Sequence, residues 1–314
     1  MKISIVIPNY NGENLLKKNL PKVIESVIDK GYEIEFILTD DGSEDNSLEV
    51  AKEVLGKVNN NNFSSKIIEN KKNKGFSSNV NIGVSKSTGE ILILLNTDII
   101  PEKDFLKPLI NHFKDKNIFA VGCMDKSVDG EKITLRGRGV GVFKKGFLIH
   151  SKGKVDASNT LWVSGGSGAF RKSIWEKLEG LDSLYDPFYW EDIDLSYRAL
   201  KSGYQILFEN KSVVLHEHEK GAIKSRYSSF DIKKIAYKNQ FIFVWKNITD
   251  KDLILNHILF LPYYLAKQII GLDLACFLGF FKALFLLPEI IKSKFKAEKL
   301  FVKKDKEIFA EFIK

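Results

Sequence analysis

Ile3-Ser4-Ile5-Val6-Ile7-Pro8-Asn9-Tyr10-Asn11 decides the architecture of this chain. The run is short, β-branched and ends abruptly in polar residues, the pattern of a buried strand that delivers a loop to its carboxyl end. Runs of the same kind recur at residues 34–39, 66–69 and 91–96. Between the first two, Leu15, Leu16, Leu20, Val23, Ile24, Val27 and Ile28 fall at helical spacing, and Gly31 is placed to end that helix. A second helix is expected over residues 48–55, with Ser43 or Asp45 as its N-cap. Strands and helices alternating at this spacing predict an α/β fold: a mostly parallel, doubly wound sheet with helices on both faces.

The 314 residues, 44% of them hydrophobic, suit one large α/β domain with an appendage, or two domains, and argue against disorder. Cys123 and Cys276 stand far apart with no CxxC spacing, so neither a disulfide framework nor a structural zinc site is expected, in keeping with a reducing cytoplasm. The N-terminus enters a strand directly, without the pattern of a cleaved signal, and the chain is expected to stay on the cytoplasmic side.

The net charge of +8 is uneven. Residues 1–219 carry 30 Lys+Arg against 31 Asp+Glu, whereas 220–314 carry 18 against 9. That last third holds an aromatic, lysine-bearing stretch at 230–246, expected as an amphipathic helix, then apolar runs at 253–265 and 274–288 and a lysine-rich helix at 292–306. Fifteen helical residues rise only about 22 Å against a hydrocarbon core of about 30 Å, so these runs predict interfacial helices and not a span. The expected division is a catalytic domain over 1–224 and a basic, aromatic, helical membrane-associating region over 225–314. Within the first part, 59–62 reads as a polar loop and 126–154 as hairpins and loop. The glycines at 137, 139 and 141 do not make a dinucleotide-binding turn.

Several polar groups sit where a doubly wound sheet binds ligands, at the carboxyl ends of its strands. Asp40 and Asp41 end the second strand, and a carboxylate there accepts from a base N–H or a ribose hydroxyl, or caps the next helix. Asn96-Thr97-Asp98 ends the most hydrophobic strand, where Asp98 can hold Mg2+ or Mn2+ against a diphosphate. Gly75 opens a helix start that runs past Asn81, either a plain helix N-terminus or one whose backbone amides hold phosphate or ribose oxygens. Gly166 lies in a small-residue segment that allows close ligand approach, with Arg171 a phosphate partner or a surface residue. Trp190-Glu191-Asp192-Ile193-Asp194 places three carboxylates at a helix start. That exceeds what capping requires, so Glu191 or Asp192 is a candidate base, with Asp194 assigned to stabilising the helix or loop. His216, favoured over His218, ends a strand and is a candidate metal ligand or phosphate donor.

In these motifs the chain resembles the family 2 glycosyltransferases of GT-A fold, and among them the bacterial rhamnosyltransferase-like branch. The resemblance runs from residues 4–11 through Asp40-Asp41-Gly42-Ser43, Asn73-Lys74-Gly75-Phe76, Asn96-Thr97-Asp98, Gly165-Gly166-Ser167-Gly168 and Trp190-Glu191-Asp192 to His216. It implies that Pro8, Asn9 and Asn11 line a nucleotide cleft together with Asn96 and Thr97, that Asp41 contacts the base, that Asp98 ligates the metal and that Asp192 is the base. Asn96 departs from a strict DxD motif. The implied reaction is a metal-dependent, inverting transfer from a nucleoside-diphosphate sugar, dTDP-rhamnose or a UDP-sugar. The implied acceptor is a lipid-linked or growing surface glycan, because the basic aromatic last third suits an anionic membrane face, peripheral on the inner side of the cell membrane.

Two other readings compete. A nucleotidyltransferase acting on sugar phosphates would share the metal and nucleotide residues, but it calls for a basic phosphate loop after the first strand, and residues 8–14 lack one. A non-catalytic membrane or nucleic-acid binder would use the basic third and leave the acidic residues unexplained. The expected partners are therefore a nucleotide sugar, a glycan acceptor and a membrane surface, and not nucleic acid.

Overall fold

The computed structural model describes residues 1–130, 132–217 and 226–312; the expected boundary at 224/225 and His218 lie outside them. Four parallel strands form one half of the main sheet: β1 (Lys2–Asn9), β2 (Glu33–Asp40), β3 (Phe63–Glu69) and β4 (Ile91–Leu95). β1, β2 and β4 are short and largely apolar, with β1 buried on both faces as a central parallel strand requires, whereas β3 at the edge is half polar. The full order is β3-β2-β1-β4-β10-β6-β11-β5. Here β10 (Ser167–Arg171) runs antiparallel between β4 and β6 (Ile118–Asp129). β11 (Gln205–Glu217) is parallel to β6, and β5 (Ile99–Pro101) is antiparallel to β11. β7 (Lys132–Arg136) folds back on β6, and β8 (Gly139–Lys144) with β9 (Phe147–Lys152) makes a separate hairpin, so the glycine-rich segment is hairpins as its composition predicts.

Two cores lie on the two faces of this sheet. Ile3, Ile5 and Ile7 of β1 pack with Leu16, Leu20 and Val23 of α1 (Glu13–Val27), Leu55 of α2 (Ser47–Gly56) and Leu109 of α4 (Leu106–Asn111). Val6, one step out of phase, packs on the opposite face with Val80 and Val84 of α3 (Phe76–Ser85). The alternation of β1 side chains thus dictates the two layers. α2 begins at Ser47, where Asp45 accepts the Ser47 amide (3.1 Å) as a cap would, whereas Ser43 is used elsewhere, as described below. Beyond β10 come α5 (Lys172–Lys177) and α6 (Glu191–Lys201).

The last third departs from expectation in two ways. α7 (Ser229–Asn247) is no surface amphipath: Phe241, Ile242, Phe243 and Val244, four consecutive apolar residues that together face every side of one turn, are buried in the same core as Val6 and α6. α8 (Lys251–Ile270) is a single helix through Pro262, and its 20 residues are long and apolar enough to cross a bilayer, as are α9 (Leu274–Phe285) and α10 (Leu287–Glu298) taken together across a 65° bend. Pro262 lies inside α8 without ending it, whereas Pro288 opens α10 at the bend. Only 6% of the apolar window of α8 is buried, and α11 (Asp305–Ala310) closes the chain.

Candidate active site

β1 pairs with β2 on one side and β4 on the other, so the connections diverge at its carboxyl end and open a crevice there. The crevice is a cleft of about 380 Å³ lined by Pro8, Asn9, Asp41, Gly75, Asn96, Thr97, Asp98 and His216, all singled out in the sequence. Asp40 is fully buried beneath it, accepting from Asn9 Nδ2 (2.7 Å) and from the Ser43 hydroxyl (2.6 Å). It therefore orients Asn9 and the turn. Asp41 faces the cleft, and its carboxylate also accepts the Lys74 amide (2.9 Å), the Gly75 amide (3.0 Å) and Asn70 Nδ2 (3.1 Å). Burial lifts its pKa above the usual carboxylate value against the pull of those amides.

On the opposite wall, β11 pairs with β5 in a register that sets His216 against Ile99, bringing the imidazole to Asp98 across 118 residues of sequence. His216 Nε2 lies 3.3 Å from Asp98 Oδ2, and Nδ1 lies 3.0 Å from Asp125 Oδ2. Burial works against the charged ring, but the hydrogen bonds to Asp125 and Asp98 win and lift its pKa to about 9. Asp98 Oδ1 and Asn96 Oδ1 are buried without a hydrogen-bond partner. These two oxygens, beside an imidazole that could exchange its Nε2 proton for a metal, form a donor set that fits Mg2+ or Mn2+. Among the described residues no three His, Cys, Asp or Glu side chains form a preformed cage, which suits an ion that shares its coordination with a diphosphate.

The carboxylates of α6 stand behind the cleft wall. A Cβ built on Gly165 would lie 3.4 Å from the ring of Phe76, which lines the cleft, and 3.7 Å from Asp192 Cβ, so the half-buried Asp192 stands beside the cleft wall at Gly165. Burial raises Asp192 to about 6 despite the Ile193 amide that its Oδ1 accepts (2.8 Å). Glu191 is buried with Oε2 unpartnered, and burial together with Asp192 pushes its pKa well up. Asp194 does hold the fold, accepting from Arg198 (2.8 Å), Lys246 (2.9 Å), Asn247 (2.8 Å) and Tyr185 (2.9 Å). Tyr189 and Trp190, with φ of 72° and 77°, carry the chain into α6 through the left-handed region. Asn239 of α7, fully buried, clamps this turn by donating to the carbonyls of Tyr185, Phe188 and Tyr189.

Five assignments are corrected. The amides around Gly75 do not face a ligand: those of Lys74 and Gly75 bond Asp41, Phe76 bonds the Pro187 carbonyl (3.1 Å) and Ser77 bonds Asp186 (2.8 Å). Gly75 lines the cleft because its φ of +94° and the Asp186 side chain, 2.7 Å from a built Cβ, leave no room for another residue. Asn81 points away and binds both backbone groups of Leu181 (2.6 and 3.1 Å). Arg171 lies opposite Ile91 at the far end of antiparallel β10, donating to the carbonyls of Phe113, Asp115 and Ile118, so it is structural. Asn11 and Gly166 act indirectly. Asn11 Oδ1 accepts the Glu44 amide (2.8 Å), and Gly166 accepts the Asn96 amide (2.9 Å) while letting Asn96 pack where a Cβ would stand.

The structure adds groups the sequence reading missed. Arg226 lines the cleft, its guanidinium 4.7 Å from the Tyr10 ring and 5.7 Å from that of Tyr227, and among the described residues it is the one Lys or Arg in that lining. Phe188 and Tyr189 complete the apolar wall. No local motif marks Arg226, which the fold returns to β1 from the start of α7.

A mixed sheet whose parallel half opens this crevice, with a metal-type Asp–His pair at one wall and a helix-borne carboxylate beside the other, is the GT-A architecture of glycosyltransferases. The profile of glycosyl transferase family 2 matches residues 4–178, more than half of the chain, and the chain belongs to that family. It is 26% identical over 221 residues to an O-antigen chain rhamnosyltransferase of Salmonella typhimurium, covering 69% of this chain and 67% of that one, which supports the rhamnosyltransferase-like branch. It is 25% identical to a Methanococcus voltae dolichyl N-acetyl-α-D-glucosaminyl phosphate diacetamido-dideoxy-glucuronosyltransferase, over 71% of this chain and 68% of that one. Among solved structures, GalNAc-T7 with UDP, GalNAc and Mn2+ superposes with a TM-score of 0.73 at 19% identity, covering 99% of this chain. The chain spans 56% of that protein's length. A mannosyltransferase from Pyrobaculum calidifontis with GDP-Man and Mn2+ gives 0.57 at 16% identity, over 95% of this chain and 84% of that one.

Proposed function

We propose that this glycosyltransferase moves a sugar from a nucleoside-diphosphate sugar, dTDP-rhamnose or a UDP-sugar, to a hydroxyl of a lipid-linked or growing surface polysaccharide, inverting the anomeric centre. The observation that carries this reading is the contrast across one cleft: Asp98 and His216 on one wall, and Asp192, raised to about 6, behind the other. The proton of the acceptor hydroxyl passes to the Asp192 carboxylate. Its oxygen bonds the anomeric carbon as the bond from that carbon to the diphosphate oxygen breaks, and the nucleoside diphosphate leaves with the electron pair. One displacement inverts the centre and needs no protein nucleophile. Mg2+ or Mn2+ held by Asp98 and His216 beside Asn96 would offset charge on the leaving group. Arg226 supplies positive charge from the chain itself, and Pro8, Asn9, Thr97 and Asp41 take the nucleoside. The surface-glycan and lipid-linked roles in the relatives' names support the acceptor class.

The same reading puts the protein on the inner face of the cell membrane. Ile258, Leu259 and Tyr263 of α8, Ile270 and Leu272 of the following turn, and Phe281 and Phe285 of α9 are exposed, Phe285 by 86%. Lys267 and Lys282 share those helices, so the basic excess accompanies apolar side chains, a combination that suits anionic lipid and not nucleic acid. The test is a thermal-shift screen of dTDP-, UDP- and GDP-sugars with Mn2+, followed by mass spectrometry of products on lipid-linked acceptors. A stabilising donor whose sugar appears on the acceptor is expected. Absence of any donor effect would overturn the proposal.

A further inference from the structure

Asp125 has no part in the reaction as described, yet its position is unusually well determined. It sits on β6, facing Val214 of β11, two residues before Ser127, which faces His216 in the same register. A three-residue irregularity in β11 between Glu209 and Val213 sets that register, and irregular strands next to sites commonly re-aim side chains in this way. The Ser127 hydroxyl donates to Asp125 Oδ1 (2.9 Å), and Asp125 Oδ2 meets His216 Nδ1 (3.0 Å). On the other side of the ring, Nε2 faces Asp98, whose Oδ1 is buried and unpartnered. The result is a chain from Ser127 through Asp125 and His216 to Asp98, buried at its Ser127 end and opening on the cleft at Asp98.

We propose that Asp125 is the positioning residue of the metal site: by accepting the Nδ1 proton of His216 and fixing the plane of the ring, it keeps Nε2 facing Asp98, so that an ion displacing the Nε2 proton would meet the donor atom already in place. This rests on the reading of Asp98 and His216 as metal ligands. A ring without that partner rotates about its side-chain bonds and interchanges tautomers, so the donor atom is presented only part of the time; a carboxylate behind a ligating imidazole also makes it a better donor.

The experiment measures Mn2+ affinity, in the presence of UDP, by calorimetry and by the loss of the free-ion electron paramagnetic resonance signal, for the unsubstituted protein, Asp125→Asn, His216→Ala and the double variant. Melting of each metal-free protein is followed in parallel. Asp125→Asn is expected to weaken Mn2+ binding by roughly 10–100-fold, the range for partners of ligating histidines. In the His216→Ala background the same substitution is expected to change affinity by less than about twofold, because a residue acting through the imidazole has nothing left to act on. Equal weakening in both backgrounds, or unchanged affinity in Asp125→Asn, overturns the positioning role while leaving His216 as a ligand. Unchanged affinity in His216→Ala overturns the ligand assignment itself and the inference with it. If Asp125→Asn melts much lower, Asp125→Glu, which keeps the carboxylate, is expected to restore Mn2+ affinity towards the original value, and failure to do so also overturns the role.

Discussion

Asp192→Asn isolates the proposed base, because the amide keeps the shape of the side chain and its acceptor oxygen for the Ile193 amide while losing the ability to take a proton. A positioned general base is worth about 10²–10⁴ in rate, or about 2.7–5.5 kcal/mol on the barrier. The structure sharpens this into a pH profile. Burial holds Asp192 at about 6, so the working carboxylate is mostly ionised at pH 7.5 and only roughly one-tenth ionised at pH 5. Activity of the unsubstituted protein is therefore expected to climb about tenfold per pH unit below 6 and level off above it. The assay is initial-rate release of nucleoside diphosphate with acceptor present, from pH 5 to 8.5, beside calorimetric donor affinity at pH 7.5. In Asp192→Asn, turnover is expected to fall by at least about 100-fold, the limb near pH 6 to vanish, and donor affinity to stay within about threefold. A variant that turns over at the original rate with the limb intact would refute the assignment. The base would then be sought in Glu191, the buried carboxylate next to it in that helix start.

Three further outcomes are expected. Chelation should abolish turnover, and Asp98→Ala should weaken Mn2+ binding by at least the roughly 10–100-fold that an outer partner is worth; full activity in excess EDTA would contradict both. Burial opposes ionisation of Asp182 and Asp194, but Lys246 holds Asp182 low and Arg198 with Lys246 holds Asp194 low. Their stabilisation is thus present above the unfolded carboxylate range near 4 and is lost as pH falls through the depressed folded values, so the urea midpoint should drop steeply below about pH 4, and Lys246→Met should cost about 3–5 kcal/mol at pH 7 by leaving buried charge unpaired. Leu259→Glu with Phe285→Glu should reduce flotation on vesicles containing anionic lipid by roughly tenfold or more per residue, since each insertion is worth about 1.5–3 kcal/mol; unchanged flotation would remove that face from the membrane.

The parts of the site legible in the sequence are those that depend only on where a strand stops. Pro8, Asn9, Asp41, Asn96 and Asp98 each follow an apolar run directly, and the parallel sheet brings all those ends to one crevice. What failed depends on strand direction or on distant partners. Arg171 follows the small-residue segment by only a few positions, but β10 is antiparallel, so Ser167 lies at the cleft end and Arg171 at the other. The amides beside Gly75 look available until Asp41 and Asp186, 34 and 109 residues from the groups they accept, are folded onto them. Asp125 gave no local sign because its role exists only in the register of β6 with β11.

The same dependence on distant partners bears on how the last third should be understood. The sequence separates it from the catalytic part by its charge, yet α7 reaches into the turn that launches the catalytic helix. Asn239 holds three carbonyls of that turn, Lys238 donates to the carbonyls of Leu184 (3.1 Å) and Asp186 (2.8 Å), and Lys246 bridges Asp182 (2.6 Å) and Asp194. Tyr189 and Trp190 occupy a backbone region that costs an ordinary residue roughly 1–3 kcal/mol and persists only when neighbours enforce it. α7 provides that enforcement, so the geometry that sets Asp192 beside the cleft wall is partly written in residues 229–247. A chain cut near residue 224 would therefore lose the base as well as any membrane contact, and its failure to bind vesicles would say nothing about lipid. Membrane attachment has to be separated from catalysis by substitutions on the outer face of α8 and α9, which leave the inner face of α7 intact.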